Sequence, residues 1–428
     1  MDRRAGATDR ESTVSGVPDR PVDPSLGRRL LTIDLGRGLA ALAVLAAHGR
    51  LVGAGGWRED PFLVLEALFK YGYLGVPAFV IISGFCIHRR WALRAAAGDR
   101  SRPSWRAFWK RRVKRLYPTY LAAIGLALGL AAVHGRYDWG GLGPDLVTHL
   151  VMVHNLHPEY SKGLANPPMW SLGMEEQLYL LYVPLLVLLT TSTRLSLAAA
   201  AVVTVGWRVA FVAGVFPPDC PLGSWTTWPF AFWLHWALGA VAVEAWAGVR
   251  QLPAFASSLT LAAALCLVAG FLNRTPLEYL HESRLGDAAW VEFLYMRRWD
   301  CNVLCDPLFA VAFWCVLNRT LAWEQGGGPA RLGVAAKAVA GAFAWVGLIS
   351  YSVYLAHSPV YAVLDSVFDR YLPIVDRPRA WPVYFLVYTA CGIVSGWLLF
   401  LAVERHSVTA RRSGGSPLPE CPPGSAAG

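Results

Sequence analysis

From Leu31 to Val403 the chain keeps returning to one pattern: a run of about 20 mainly apolar residues, then a short stretch carrying charge, Pro or Gly. A helix of that length crosses the hydrocarbon core of a bilayer, which is about 30 Å thick. Inside that core no water satisfies a free backbone N–H or C=O, so an apolar run must close its hydrogen bonds within itself, as a helix. Ten runs qualify, at 31–51, 70–88, 114–134, 170–190, 195–215, 228–247, 254–272, 303–320, 339–361 and 381–403. The weakest are 195–215, which holds Arg208, and 303–320, which is short. The expected fold is all-α, a polytopic membrane protein of about ten transmembrane helices. Residues 144–168 are partly apolar and dotted with Pro and His, and they read as a folded loop or re-entrant piece.

Composition agrees. The chain is 55% hydrophobic and 16% charged, against about 25% charged in an ordinary soluble domain. The net charge of +10 is not a nucleic-acid footprint, because the basic residues sit in a few segments between apolar runs. Residues 89–115 alone hold eleven Lys or Arg and one acid, Asp99. Arg194, Arg250, Arg319, Arg331 and Lys337 fall in loops of the same parity, and Arg405, Arg411 and Arg412 follow the tenth run. Lys and Arg favour the cytoplasmic side. Ten alternating spans put all these segments there, with both termini cytoplasmic and the cell (cytoplasmic) membrane as the location. The polar stretches 1–30 and 406–428 read as disordered cytoplasmic tails flanking a membrane domain over 31–405, with no cleavable signal peptide. Several cysteines lie inside apolar runs as buried thiols. Cys301 and Cys305 lack nearby partners, so no metal site is expected.

Ionisable groups within the apolar runs are costly in lipid and usually face a functional interior. In "IDLGRGLAALAVLAAHGR", Arg37 and His48 are eleven steps apart. That is three helical turns plus about 20°, so both project from one face, roughly 16 Å apart along the axis. Snorkelling to the interface is the competing role for Arg37, and Asp34, one turn earlier, is its natural ion-pair partner. In "FWKRRVKRLYPTYLAA", Arg112 and Arg115 share a face and can grip phosphate bidentately, although the same cluster also serves as a topology signal and suits anionic headgroups. In "NPPMWSLGMEEQLYLLYVPLL", Glu175 and Glu176 enter a span together with Gln177 and Tyr179, which suggests a polar cavity. "ISYSVYLAHSPV" crowds Ser350, Tyr351, Ser352, Tyr354 and His357 into one span.

These pieces, in this order from about Leu31 to Glu404, resemble the acyltransferase 3 family of integral membrane O-acyltransferases. The first motif reads Asp34-Leu35-Gly36-Arg37-Gly38 where the family usually has Asp-Gly-Leu-Arg-Gly, with the Arg-to-His spacing kept. The resemblance implies ten membrane helices, an essential histidine at His48, a basic pair at Arg112 and Arg115, and a Trp-Ser-Leu-x-x-Glu element at Trp170, Ser171, Leu172 and Glu175. It implies an acyl-CoA donor, with acetyl or another short chain, and a hydroxyl acceptor on a carbohydrate or a glycosylated, macrolide-type natural product.

On that basis Arg37, Arg112 and Arg115 are expected to hold the CoA phosphates. His48 is expected to act as general base on the acceptor hydroxyl or to carry the acyl group, with Glu175 orienting it. His357, Ser350 and Tyr354 are secondary candidates, with helix packing as the other role for His357. The competing class is a multi-pass secondary transporter of a small organic anion, which the same buried Arg, His and Glu would also suit.

Overall fold

The computed structural model describes residues 29–49, 69, 71–135, 137–215, 227–273, 277, 280–281, 288–296, 298–371 and 377–409. The expected tails therefore fall almost wholly outside the described residues, as does most of the connection after the first span. Within them the fold is all-α, with helices α1 (Leu31–His48), α2 (Gly75–Ala96), α3 (Trp105–His134), α4 (Leu142–Leu150), α5 (Trp170–Leu180), α6 (Tyr182–Thr191), α7 (Thr193–Val212), α8 (Trp233–Trp246), α9 (Leu259–Leu272), α10 (Ala289–Met296), α11 (Arg298–Gln325), α12 (Val334–Tyr371), α13 (Arg377–Leu399) and α14 (Arg405–Thr409). Among the described residues eight helical segments are long and apolar enough to cross a membrane: 31–48, 71–96, 105–134, 167–191, 193–212, 303–325, 334–368 and 382–407. The protein is a multi-pass membrane protein.

Two of the ten expected spans are shorter than the bilayer needs. Helices α8 and α9 have 14 residues each, about 21 Å at 1.5 Å per residue. Pro229 opens the turn before α8, and left-handed Gly248 follows its end. Nearly every residue of α8 is buried by its neighbours, so it lies inside the bundle and need not match lipid thickness. The expected short span at 303–320 is instead part of a 28-residue helix, because its polar flanks continue the helix beyond the apolar run. α5 and α6 act as one span broken at Leu181, since Pro184 has no N–H and its ring excludes the carbonyl of Leu180.

α1 is the hub. It packs on α12 along one side and on α2 along another, while α2 lies against α8 and α12 against α13. Glycines let two of these pairs approach closely. A Cβ on Gly38 would meet the Phe343 carbonyl oxygen at 2.0 Å, and one on Gly347 would meet that of Asp34 at 1.9 Å. Gly84 and Gly239 play the same part where α2 meets α8. Small residues at such crossings let helices associate in lipid by close packing, where apolar burial contributes little.

One end of the bundle gathers the start of α1 and the ends of α2, α8 and α11. Glu324 accepts the Leu31 and Thr32 N–H groups at 2.7 and 2.8 Å, and Gln325 donates to the Trp246 carbonyl. The basic loop 97–104 belongs to this end. At the opposite end the segment 142–169 folds as a cap and not as a span. Asp145 accepts from Tyr137 and from the Leu164 N–H, both at 2.7 Å, and Asn166 donates to the Leu355 carbonyl on α12.

Candidate active site

Two cavities lie along α1, one toward each end. The first, about 150 Å³, is walled by α1, α2, α3, α5 and α12. Arg37, Arg112, Arg115, Glu175, Ser350 and Tyr354 all line it, so six sequence candidates from four helices converge on one space. The spacing explains the convergence. Arg112 and Arg115 are three apart on α3, while Ser171, Glu175 and Tyr179 are four apart on α5, and each set shares a helix face. The Arg112 guanidinium lies 5.9 Å from the Tyr179 ring centroid and 5.7 Å from that of Phe108. Ser350 is fully buried, and its hydroxyl has no hydrogen-bond partner.

The second cavity, about 320 Å³, is bounded by His48 on α1, the end of α3, residues 162–167 and the C-terminal half of α12. His48 is exposed. Its Nδ1 donates to the Val44 carbonyl at 2.9 Å. A carbonyl only accepts, so Nδ1 carries the proton and Nε2 presents a lone pair. His134, Lys162, Ser358, Tyr361 and Asp365 share the lining.

His357 stands between the two. Its ring centroid is 5.1 Å from that of His48 and 5.8 Å from that of Tyr354. It is fully buried, its Nδ1 donates to the Tyr354 carbonyl at 2.7 Å, and its Nε2 has no partner. The neighbouring Tyr361 hydroxyl is also buried without a partner. Ser350, Tyr354, His357 and Tyr361 recur every three or four residues, so α12 carries a single polar stripe past both cavities.

Two side-chain pairings differ from the sequence expectation. Asp34 pairs with Arg29 at 2.7 Å, because a residue before the helix can fold back over its first turn while Arg37 points into the cavity. Glu175 accepts from the Ser83 hydroxyl and, at 2.7 Å, from Tyr179. It faces the arginines, and His48 lines the other cavity. Only the meeting of α2 with α5 makes Ser83 a hydrogen-bond donor to Glu175.

Sequence reasoning placed Glu404 at the end of the tenth span and gave it no role in the site. It is buried in a π-helical turn, Phe400–Glu404, accepts from Ser352 at 2.5 Å and interacts electrostatically with Arg37 and Arg115. Sequence reasoning passed over His134, Lys162 and Asp365, whose one signal is that they are ionisable residues near span ends.

The match to an acyltransferase domain covers residues 30–401. Acyltransferase MdmB of Streptomyces mycarofaciens is 32% identical over 252 residues, which are 53% of this chain and 60% of that relative. No solved structure matches the chain. A helical membrane bundle with the Arg37-to-His48 helix at its hub, matched over nearly all its described length, belongs to the acyltransferase 3 family.

Proposed function

We propose that the protein transfers an acetyl or other short acyl group from acyl-CoA to a hydroxyl of a carbohydrate or a glycosylated, macrolide-type natural product. One observation carries this reading: the convergence of Arg37, Arg112 and Arg115 on a cavity at one end of the helix that presents His48 to a second cavity. Guanidinium groups match phosphate bidentately. The CoA phosphates lie over Arg112 and Arg115 at the basic end, which is cytoplasmic, and the acyl-pantetheine arm runs past Arg37 and Tyr354 toward the histidines. The acceptor enters the His48 cavity.

His48 Nε2 takes the proton of the acceptor hydroxyl as its oxygen attacks the thioester carbonyl. The C–S bond breaks, and CoA leaves as the thiol after its sulfur receives from His48 Nε2 the proton that the acceptor lost. A positioned base of this kind contributes about 10²–10⁴-fold. Asp365, on the same cavity wall, offers a counter-charge to the imidazolium. Glu175 balances the arginines of the donor cavity, a role its bonds to Ser83 and Tyr179 suit better than orienting His48. Labelled acetyl-CoA is the decisive reagent, with ester product and free CoA as readouts. The purified protein should turn over. His48→Ala should lose at least about 10²-fold in kcat while its helical signal and melting temperature hold. Wild-type rates in that variant sink the assignment.

A further inference from the structure

A third cavity opens at the basic end, about 180 Å³, between the end of α2 and the start of α3. Arg90, Arg94, Arg111, Trp91, Phe108 and Tyr182 line it. Arg90 and Arg94 are one turn apart on α2 and so share a face, with Arg111 opposite on α3. Like charges one turn apart repel unless an anion lies between them. Arg94 is turned to Asp99 at 3.3 Å and to the Ser101 hydroxyl and carbonyl at 3.2 and 3.3 Å, which leaves Arg90 and Arg111 as the arginines offered to a ligand phosphate. Trp91 is 4% exposed, and its indole Nε1 has no hydrogen-bond partner. The wall behind is rigid: Tyr182 bonds His88 Nδ1 at 2.9 Å, His88 Nε2 bonds Glu244 at 3.0 Å, and Arg250 closes the chain on Glu244.

This cavity adjoins the donor cavity. Ile87 lines both. Arg112 lies over Phe108, which lines the third cavity, and over Tyr179, which lines the first. A guanidinium between the two spaces suits a ligand with one phosphate cluster at the junction and a further phosphate beyond it. Flat aromatic walls with three arginines suit a base carrying a phosphate monoester.

We infer that the third cavity is the subsite for the 3′-phosphorylated adenosine end of the donor, with Arg90 and Arg111 on the 3′-phosphate. This rests on the reading of the donor as acyl-CoA. An anionic lipid headgroup shares the phosphate chemistry, and the experiment separates the two. Binding of CoA, of dephospho-CoA lacking the 3′-phosphate, and of adenosine 3′,5′-bisphosphate is measured by titration calorimetry on the full chain, in nanodiscs of zwitterionic lipid alone and with added phosphatidylglycerol. The wild type should bind CoA at least about tenfold more tightly than dephospho-CoA, since charged hydrogen bonds are the strong ones. Arg90→Gln/Arg111→Gln, which keeps the Arg94–Asp99 pair, should bind both alike at the wild-type dephospho-CoA affinity, with an unchanged melting temperature. Arg115→Ala should weaken both equally.

A wild type that binds CoA and dephospho-CoA alike overturns the subsite and leaves the donor reading standing. A double variant that keeps the preference does the same. Phosphatidylglycerol that displaces CoA from the wild type but not from the double variant assigns the cavity to a headgroup instead. If CoA does not bind in either lipid, the donor reading and the subsite fall together.

Discussion

At the scale of the residue, charge and proton placement decide the site. Glu175 puts one negative charge among Arg37, Arg112 and Arg115. Glu175→Gln keeps a hydrogen-bonding side chain of the same shape and removes the charge. The cavity then becomes more positive, so the dissociation constant for CoA should fall several-fold in a titration. A weaker affinity with normal folding would show that Glu175 does not balance the arginines.

The cap over the opposite end holds a different charge device. The His149 and His154 rings stack at 3.8 Å and 9°, both fully buried. Burial pushes His154 down to about 3, with the neighbouring His149 adding to the effect, and burial also lowers His149 against the opposing pull of Asp145. A histidine whose folded value lies below its unfolded value of about 6.5 contributes stability that is fully present above that value. The stability is lost as pH falls below it, because the unfolded chain binds the proton and the folded cap does not. The melting temperature should therefore drop between pH 7 and pH 5. His154→Gln, which keeps a donor for the Met169 carbonyl, should flatten that drop, and an unchanged slope would count against the stacked pair as its cause.

At the scale of the element, α1 works because it lies tight against α12. The Gly38 and Gly347 crossings leave no room for a Cβ, with carbonyl oxygens at 2.0 and 1.9 Å from where one would sit. Gly38→Ala forces the helices apart, and overpacking of this kind costs about 1–3 kcal/mol. It also shifts His48 relative to His357, whose centroids are 5.1 Å apart. The expected result is a lower kcat with a smaller loss of CoA affinity, since Arg37 moves with α1 while Arg112, Arg115 and Glu175 sit on other helices. Thermal melting and steady-state kinetics on the same preparation check it. Loss of CoA binding in step with kcat would mean that the whole bundle had loosened.

At the scale of the whole molecule, the alternating helices place the basic loop 97–104 and the cap 142–169 at opposite ends. The charge bias underlies the proposal that the loop end is cytoplasmic. A cysteine at Arg102 should react with an impermeant maleimide only after cells are opened, and one at Glu159 should react in intact cells. The reverse pattern would invert the proposed entry sides of donor and acceptor. The period and length of the apolar runs, and the charges between them, were enough to read a helical bundle, most of its spans and the residue types of the site. Those properties depend on local spacing along one helix, as with Arg112 beside Arg115 or Arg37 in register with His48. Tertiary packing decided what faces what. It shortened α8 because that helix is buried on all sides, turned Glu175 toward Ser83 and the arginines, brought His357 beside His48, and set Arg37 and His48 on separate cavities of one helix. A single helix fixes the direction of its own side chains, but a pocket is made by the neighbours across from it, and their identity depends on contacts hundreds of residues apart.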